Sequence, residues 1–189
     1  MRLILASASP RRAELLTSAG FTFDVAPVDV DETPQPGEAP EAYALRVARD
    51  KAAAAAAGCG KSGSVVLAAD TVVAVAGRIL GKPRDKEEAE GMLRLLSGAV
   101  HDVHTAVVIR STAGERSEID TTRVRFLRLT DAEITWYVAS GEPEGKAGAY
   151  AIQGRGARFV DRIEGSWSNV VGLPISTVYR LLKEAADAD

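Results

Sequence analysis

The first twenty residues combine a short apolar strand, a turn and a helix. Residues 2–6 are apolar after Arg2 and are typical of a buried strand, and the hydroxyl-rich segment that follows breaks this strand before a helical pattern begins. Ser9 is placed to cap the helix, Pro10 fits its first position and Gly20 closes it. The sequence therefore predicts a strand–turn–helix unit whose turn lies at the N-terminus of the helix.

Beyond this unit, strand and helix patterns alternate irregularly. Two strand pairs are joined by short turns, at residues 77–78 and 112–115, which is typical of antiparallel hairpins. Hairpins among helices favour an α/β fold with a mixed sheet over a parallel, doubly wound one. The predicted strands are 21–25, 64–76, 79–80, 101–110, 117–129 and 158–163, and the predicted helices are 41–57, 86–96, 131–138 and 174–186, with Asp85 and Thr130 as caps and a loop at 165–172.

Length and charge limit the function of the chain. Its 189 residues suit one large domain or two small lobes. Its 23 Lys and Arg against 26 Asp and Glu give a net charge of -3, which is too balanced for a surface that follows nucleic-acid phosphates. No apolar run is long enough for a membrane span or a secretory signal. We therefore expect a cytoplasmic protein that binds neither nucleic acid nor membrane.

The turn at residues 7–12 has the properties of an anion site. A helix N-terminus presents free backbone N–H groups and the positive end of the helix dipole. Arg11 and Arg12 add guanidinium groups that suit phosphate oxygens. The alternative is an ordinary capped helix with two solvated arginines, and the pattern alone leaves both interpretations open.

Acidic residues in two segments are candidates for chemistry. Asp70 lies in an otherwise apolar strand, where a carboxylate is costly unless it is paired, bound to a metal or placed at a cleft edge. The alternative for Asp70 is a bulge at which it accepts hydrogen bonds from a loop. Asp29, Asp31 and Glu32 supply hard oxygen ligands of the kind that Mg²⁺ or Mn²⁺ binds, with the two aspartates on one face if the strand continues that far. Solvated loop acids are the commoner explanation of this second cluster.

Three further polar residues lie in segments with distinct properties. Lys82 stands in a rigid turn before a helix, and Gln153 lies in the glycine-rich segment 145–156, which permits close backbone approach to a ligand. Lys51 follows a charged helical turn and is most simply interpreted as part of a solvated face. The sequence lacks the P-loop pattern and the common metalloprotease, thiol-redox and serine-hydrolase patterns, so a Walker-type NTPase is not expected.

Five short segments form an ordered set over residues 3–182. They are LILASASPRR at 3–12, ADT at 69–71, GKPRD at 81–85, GEPEGKAGAYAIQG at 141–154 and NVVGLP at 169–174. In order and approximate spacing, this set resembles the Maf family of nucleoside triphosphate pyrophosphatases. The resemblance implies a homodimeric α/β protein with a long curved mixed sheet, helices on its faces and a central cleft, similar to the inosine triphosphate pyrophosphatases of the Ham1 type.

The same resemblance implies a reaction and residue roles. The reaction is hydrolysis of a nucleoside triphosphate between its α- and β-phosphates with a divalent cation, Mg²⁺ or Mn²⁺. Asp70 is the implied catalytic residue, acting as base, as a metal ligand together with Glu32, or as both, and the residues leave this choice open. The implied phosphate-binding residues are Ser7, Ser9, Arg12, Lys51 and Lys82.

Three residues point to one branch of the Maf family. Arg11, Thr71 and Gln153 stand at the positions that mark the branch that prefers dTTP and UTP. The 7-methyl-GTP branch carries a bulky aromatic residue in place of Arg11 and an acid in place of Gln153. The resemblance therefore implies dTTP and UTP as substrates. The alternatives are a 7-methyl-GTP pyrophosphatase and a non-catalytic, nucleotide-binding regulator of cell division.

Overall fold

One mixed β-sheet organises the fold, as the sequence predicts. The structure is a computed structural model that describes residues 2–59 and 63–187. The strands within these residues are β1 (Arg2–Leu5), β2 (Phe23–Val25), β3 (Ser64–Val75), β4 (Arg78–Leu80), β5 (Val100–Ser111), β6 (Gly114–Phe126) and β7 (Val160–Glu164). They are arranged in the order β2-β1-β3-β5-β6-β7, and β4 pairs with β3. β1 runs parallel to β2 and β3, and the other described pairs are antiparallel.

Six α-helices are found in the same residues. Asp85 caps α3 and Thr130 caps α4, each by accepting a hydrogen bond from a backbone N–H three residues on, as predicted. The helices are α1 (Pro10–Ser18), α2 (Pro40–Cys59), α3 (Lys86–Leu96), α4 (Asp131–Ala139), α5 (Trp167–Val171) and α6 (Ile175–Ala186). None of the helices in the described ranges has the length and apolar character that crossing a membrane requires.

One helix is missing from the sequence prediction, and some strand bounds differ from the structure; the strands predicted from 21 and 158 begin at Phe23 and Val160. The predicted loop at 165–172 contains α5, whose five residues are too few to show a helical period and which Ser166 caps. The predicted strand at 117–129 begins earlier, at Gly114, and ends at Phe126. Its turn is tight because Ser111 already pairs with Gly114, so residues that were predicted as turn belong to the strands.

The helices cover both faces of the sheet. The alanine-rich α2 packs on one face, where its small side chains let it lie close to the even-numbered residues of β3. α1 and α6 cover the odd-numbered residues of β3 on the opposite face, and α3 and α4 extend this layer beyond β4. Both sides of the central strand are therefore buried, which explains its almost continuous apolar sequence.

One edge of β3 is interrupted. β1 pairs with β3 only as far as Leu67, and β4 begins pairing at Val73, whereas β5 occupies the opposite edge from Val66 to Ala74. Residues 68–72 of β3 therefore have no described strand beside them on the β1 side. Asp70 and Thr71 lie at this gap, and the chain opens into a cleft there.

Candidate active site

The cleft has a volume of about 380 Å³ and is lined by the strand–turn–helix unit, β3 and the glycine-rich segment. The structure brings all ten predicted site residues to its wall, although they come from distant parts of the chain. They are Ser7, Ser9, Arg11, Arg12, Glu32, Lys51, Asp70, Thr71, Lys82 and Gln153. The structure thus shows where these residues lie, and the roles implied for them remain predictions.

Lys51 connects the two predicted metal ligands. Its Nζ lies 2.8 Å from Oδ1 of Asp70 and 2.5 Å from Oε1 of Glu32. Lys82 approaches the other oxygen of Glu32 at 3.0 Å. Lys51 and Asp70 are 8% and 7% exposed, so both charges are largely removed from water and stabilise each other. The cleft therefore holds an ion-pair chain that runs Asp70–Lys51–Glu32–Lys82.

This arrangement corrects two sequence interpretations. Asp70 does not lie at a bulge, because β3 and β5 pair in continuous register on both sides of it. Lys51 does not belong to a solvated face. It is part of the buried stripe of α2, four residues after Val47 and four before Ala55. The helical period was thus the signal that could have placed Lys51 inside.

Glu32 is separated from the rest of its acidic cluster. β2 ends at Val25, so Asp29 and Asp31 do not share a strand face, and both are exposed. Asp31 accepts a hydrogen bond from the backbone N–H of Thr33. Partial burial raises the pKa of Glu32, but hydrogen bonds and charge from Lys51 and Lys82 outweigh it and lower the pKa to about 2. Glu32 is therefore ionised at neutral pH.

Arg12 is nine-tenths buried and forms long-range hydrogen bonds. Its guanidinium donates to the backbone oxygen of Gly172 at 2.8 Å, to Oγ of Ser7 at 3.1 Å and to Oγ1 of Thr71 at 3.1 Å. Burial lowers the pKa of Arg12, and the nearby charge of Asp70 opposes this effect. The interpretation of Arg12 as a solvated arginine is wrong, since this side chain joins the N-terminal turn to β3 and to the segment after α5.

Thr71 uses its hydroxyl within the protein. Besides accepting from Arg12, Oγ1 lies 2.9 Å from Oγ1 of Thr105 and 3.3 Å from the backbone oxygen of Gly172. A hydroxyl has one proton and two lone pairs, so these three contacts use its hydrogen-bonding capacity. Thr71 is thus placed to hold Arg12 at the cleft wall.

The N-terminus of α1 is open toward the cleft. Ser9 occupies the N-cap position, as predicted, but its side chain makes no capping hydrogen bond, and Pro10 follows it. The Ser9 backbone N–H donates to Oγ of Ser7, whose own proton remains to be donated. Arg11 is half-buried beside them, and burial lowers its pKa. The turn therefore offers hydroxyl and guanidinium donors in one place, as an anion site requires.

The glycine-rich segment forms the opposite wall. The Gln153 side chain is exposed and makes no hydrogen bond with another described residue, so its amide is free to meet a ligand. Gly148, at φ +68°, donates its backbone N–H to the oxygen of Gly81 and thereby links this segment to the turn that carries Lys82. A Cβ on Gly148 would lie 2.9 Å from a methyl group of Val73, so only glycine fits there.

One cation of this wall lies in the same glycine-rich segment as Gln153, but the sequence patterns assign it no role. Lys146 lines the cleft, and burial, followed by the charge of Arg11, lowers its pKa. Its position in a short, glycine-flanked segment beside Gln153 was the available signal. Arg11 in the N-terminal turn and Lys146 in the glycine-rich segment therefore give each of these two walls a cation.

The donor set fits a divalent cation that is shared with substrate. Glu32 and Asp70 both contact the Lys51 ammonium, so their hard carboxylate oxygens lie close to the same place in the cleft. Mg²⁺ commonly binds one or two carboxylates together with waters and phosphate oxygens. Within residues 2–59 and 63–187, no group of three or more His, Cys, Asp or Glu side chains could hold a metal ion. The residues therefore fit an ion held partly by a phosphate.

The fold is similar to that of a solved structure. The Ham1 protein of Staphylococcus aureus matches with a TM-score of 0.52 over 98% of this chain and 100% of that chain, at 14% identity. At this identity the similarity shows the fold alone. It confirms the predicted α/β class of the Ham1 type.

Sequence comparison identifies the family of this chain. Proteins named dTTP/UTP pyrophosphatase are 54% identical in Anaeromyxobacter dehalogenans, over 97% of this chain and 94% of that protein, and 53% identical in Myxococcus xanthus, over 97% and 92%. A third, from Geobacter sulfurreducens, is 53% identical over 96% and 95%. The family described as Maf-like protein matches residues 2–185. The chain therefore belongs to the family of Maf-like proteins.

Proposed function

We propose that this protein hydrolyses dTTP and UTP to the nucleoside monophosphate and pyrophosphate. Relatives that are more than half identical over nearly the whole chain carry the name of this activity. The main structural support is the cleft, which holds buried Asp70 and half-buried Glu32 together with cations from four separate segments. A cleft with this charge pattern suits an anionic substrate and a water-activating acid.

In this proposal the triphosphate binds between the N-terminal turn of α1 and the cations Arg12, Lys51 and Lys82. Ser7 and Ser9 donate hydroxyl hydrogen bonds to phosphate oxygens at the open N-terminus of α1. Arg12, Lys51 and Lys82 neutralise the charge. Because Arg12 is already fixed by hydrogen bonds, it needs little reorganisation when negative charge develops.

Asp70 is the proposed catalytic residue. It is held at the gap in the sheet edge by β3 and by the ion pair with Lys51. In this position it orients the attacking water and accepts its proton. We further propose that Glu32 and Asp70 hold Mg²⁺ or Mn²⁺, which when bound neutralises phosphate charge and polarises water. Displacement of the Lys51 ammonium toward the phosphates would free an Asp70 oxygen for either task.

Recognition of the base is proposed to depend on Gln153 and Arg11. A side-chain amide offers both a donor and an acceptor, which is what the imide edge of uracil or thymine requires. An ionised glutamate at position 153 would offer only acceptors. Thr71 contributes through Arg12, because its hydroxyl already bonds Arg12 and two neighbours.

We propose one domain spanning 1–189, a homodimer and a cytoplasmic location. The homodimer is what the resemblance to the Maf family implies, and the location is the one expected from the sequence. Light scattering of the purified protein tests the homodimer, with a monomeric mass as the contradicting result.

The test of the function is a panel of nucleoside triphosphates with Mg²⁺ or Mn²⁺, with pyrophosphate and orthophosphate detected separately. We expect pyrophosphate from dTTP and UTP. Asp70→Asn should lower kcat by at least about 100-fold and retain nucleotide binding. Asp29→Asn, at an exposed acid outside the cleft, is the matched control and should leave kcat unchanged.

Other results would contradict the proposal in distinguishable ways. Selective turnover of 7-methyl-GTP would keep the reaction and change the substrate. Nucleotide binding without turnover would indicate a regulator. Release of orthophosphate instead of pyrophosphate would overturn the proposed bond cleavage.

A further inference from the structure

Glu142 lies in the turn after α4 and receives three hydrogen bonds. The hydroxyl of Tyr137 donates to its Oε1 at 2.8 Å, and the backbone N–H of Gly156 donates to the same oxygen at 3.0 Å. The backbone N–H of Arg155 donates to Oε2 at 2.9 Å. Both carboxylate oxygens are therefore engaged, and two of the donors belong to the backbone just beyond Gln153.

Tyr137 extends this network to the residues before Gln153. It is fully buried, and its hydroxyl oxygen accepts a hydrogen bond from the backbone N–H of Ala151 at 3.0 Å. Glu142 and Tyr137 thus hold the chain two residues before Gln153 and two residues after it. The turn between these anchors is closed by a hydrogen bond from Gly154 N–H to the Ala151 oxygen.

The glycines of this turn are packed directly against the network. A Cβ on Gly154 would overlap Oε2 of Glu142, and a Cβ on Gly156 would lie 2.9 Å from the Tyr137 hydroxyl. The carboxylate cannot swing away to make room, because three hydrogen bonds fix it. The close approach of backbone to carboxylate explains why these positions carry glycine.

The backbone of this turn determines where the Gln153 side chain begins. Its amide makes no hydrogen bond with another described residue, and its side chain is exposed at the cleft wall. Without such a hydrogen bond, the position of the Gln153 side chain follows mainly from the position of its own Cα. A shift of the 151–156 backbone therefore moves the Gln153 amide relative to the base it is proposed to read.

We propose that Glu142 is a positioning residue for substrate selection, which acts by fixing the turn that presents Gln153. This inference rests on the proposed function. Glu142 touches no reacting group and is absent from the cleft wall, so it acts only through the turn. Its expected influence is on the choice between bases and on KM, with little influence on the chemical step.

The substitution that tests this inference is Glu142→Gln. It keeps the shape of the side chain and lets the remaining oxygen accept from Tyr137 and Gly156. The new amide group, however, places a donor against the Arg155 N–H, where no hydrogen bond is possible. Loss of this hydrogen bond from the conformation that presents Gln153 is expected to weaken dTTP binding about tenfold. Glu144→Gln, two residues on and without side-chain hydrogen bonds to described residues, is the matched control.

The readout is kcat/KM for dTTP and for dCTP, which lacks the imide edge. We expect Glu142→Gln to reduce the dTTP to dCTP ratio about tenfold, mainly through KM for dTTP, and Glu144→Gln to leave it unchanged. A merely structural role would lower the active fraction and hence kcat for both substrates equally, with the ratio preserved. A ratio within about twofold of the wild type would therefore overturn the inference.

A double-mutant cycle with Gln153→Ala provides the second test. If Glu142 acts through Gln153, adding Glu142→Gln to Gln153→Ala should change the ratio no further, whereas additive effects would contradict the inference. Tyr137→Phe replaces Glu142→Gln if that variant fails to fold, and the same loss of ratio is expected. Absence of pyrophosphate release by the wild type would contradict the proposed function instead, before any variant is compared.

Discussion

Substitution of Glu32 by Gln should reveal how strongly the cleft cations stabilise the fold. Burial raises the pKa of Glu32, but hydrogen bonds and charge from Lys51 and Lys82 lower it overall from 4.5 to about 2. This difference corresponds to about 3.4 kcal/mol. The side chain is 35% exposed, and solvent screening reduces the expected loss of unfolding free energy at pH 7 to about 1 to 2 kcal/mol.

The stabilisation by Glu32 should decrease as the pH falls. The pKa of Glu32 is lower in the folded state, so the unfolded state binds the proton more tightly. The stabilisation is complete above pH 4.5 and is lost as the pH falls toward 2. With these two pKa values, about two-fifths of it is lost by pH 3.5.

Urea denaturation at pH 7 and pH 3.5 measures both quantities. The wild type should be more stable than Glu32→Gln at pH 7, and the difference should shrink at pH 3.5. Glu87→Gln, an exposed acid without an ion pair among the described residues, should change stability by less than about 0.5 kcal/mol at both pH values. Equal differences for Glu32→Gln at the two pH values, or none at pH 7, would refute the reasoning.

Two further predictions concern packing and acid stability. Gly148→Ala should destabilise the protein by about 2 kcal/mol in denaturant unfolding, because φ is +68° and the new Cβ would clash with Val73, whereas Gly58→Ala in α2 should not destabilise it. Burial lowers the pKa of His101 to about 4. Between pH 6.5 and pH 4, therefore, the imidazole is protonated mainly in the unfolded state. The free energy of unfolding should fall by about 3 kcal/mol over that range. Urea denaturation should show a smaller fall in the free energy of unfolding for His101→Phe over this pH range. A pH dependence equal to that of the wild type would contradict this explanation.

Local patterns in the sequence predicted the parts of the fold that depend on local physics. The N-cap roles of Asp85 and Thr130, the hairpins and the mixed sheet follow from side-chain hydrogen bonds and turn chemistry within a few residues. The short helix after Ser166 did not follow, because five residues show no period. Pattern reasoning therefore succeeded where the determining contacts are close in sequence.

The environment of the site residues depends on distant contacts. Arg12 is buried because its donors reach Gly172, 160 residues away, and Thr71, 59 residues away. No local pattern contains these partners, so the sequence could not distinguish this arginine from a solvated one. The resemblance to a family supplied the identity of these residues, and the structure supplies the reason for their burial.

The interrupted edge of β3 explains why acids and cations occupy one cleft. Strand residues alternate between faces, so Asp70 points to the α2 side and Thr71 to the α1 side, and an unbroken edge would separate them. Where β1 and β4 leave residues 68–72 uncovered, both faces open into the same space. Lys51 reaches Asp70 from one face and Arg12 reaches Thr71 from the other. The gap in the sheet therefore brings a carboxylate and two cations together, which neither face could do alone.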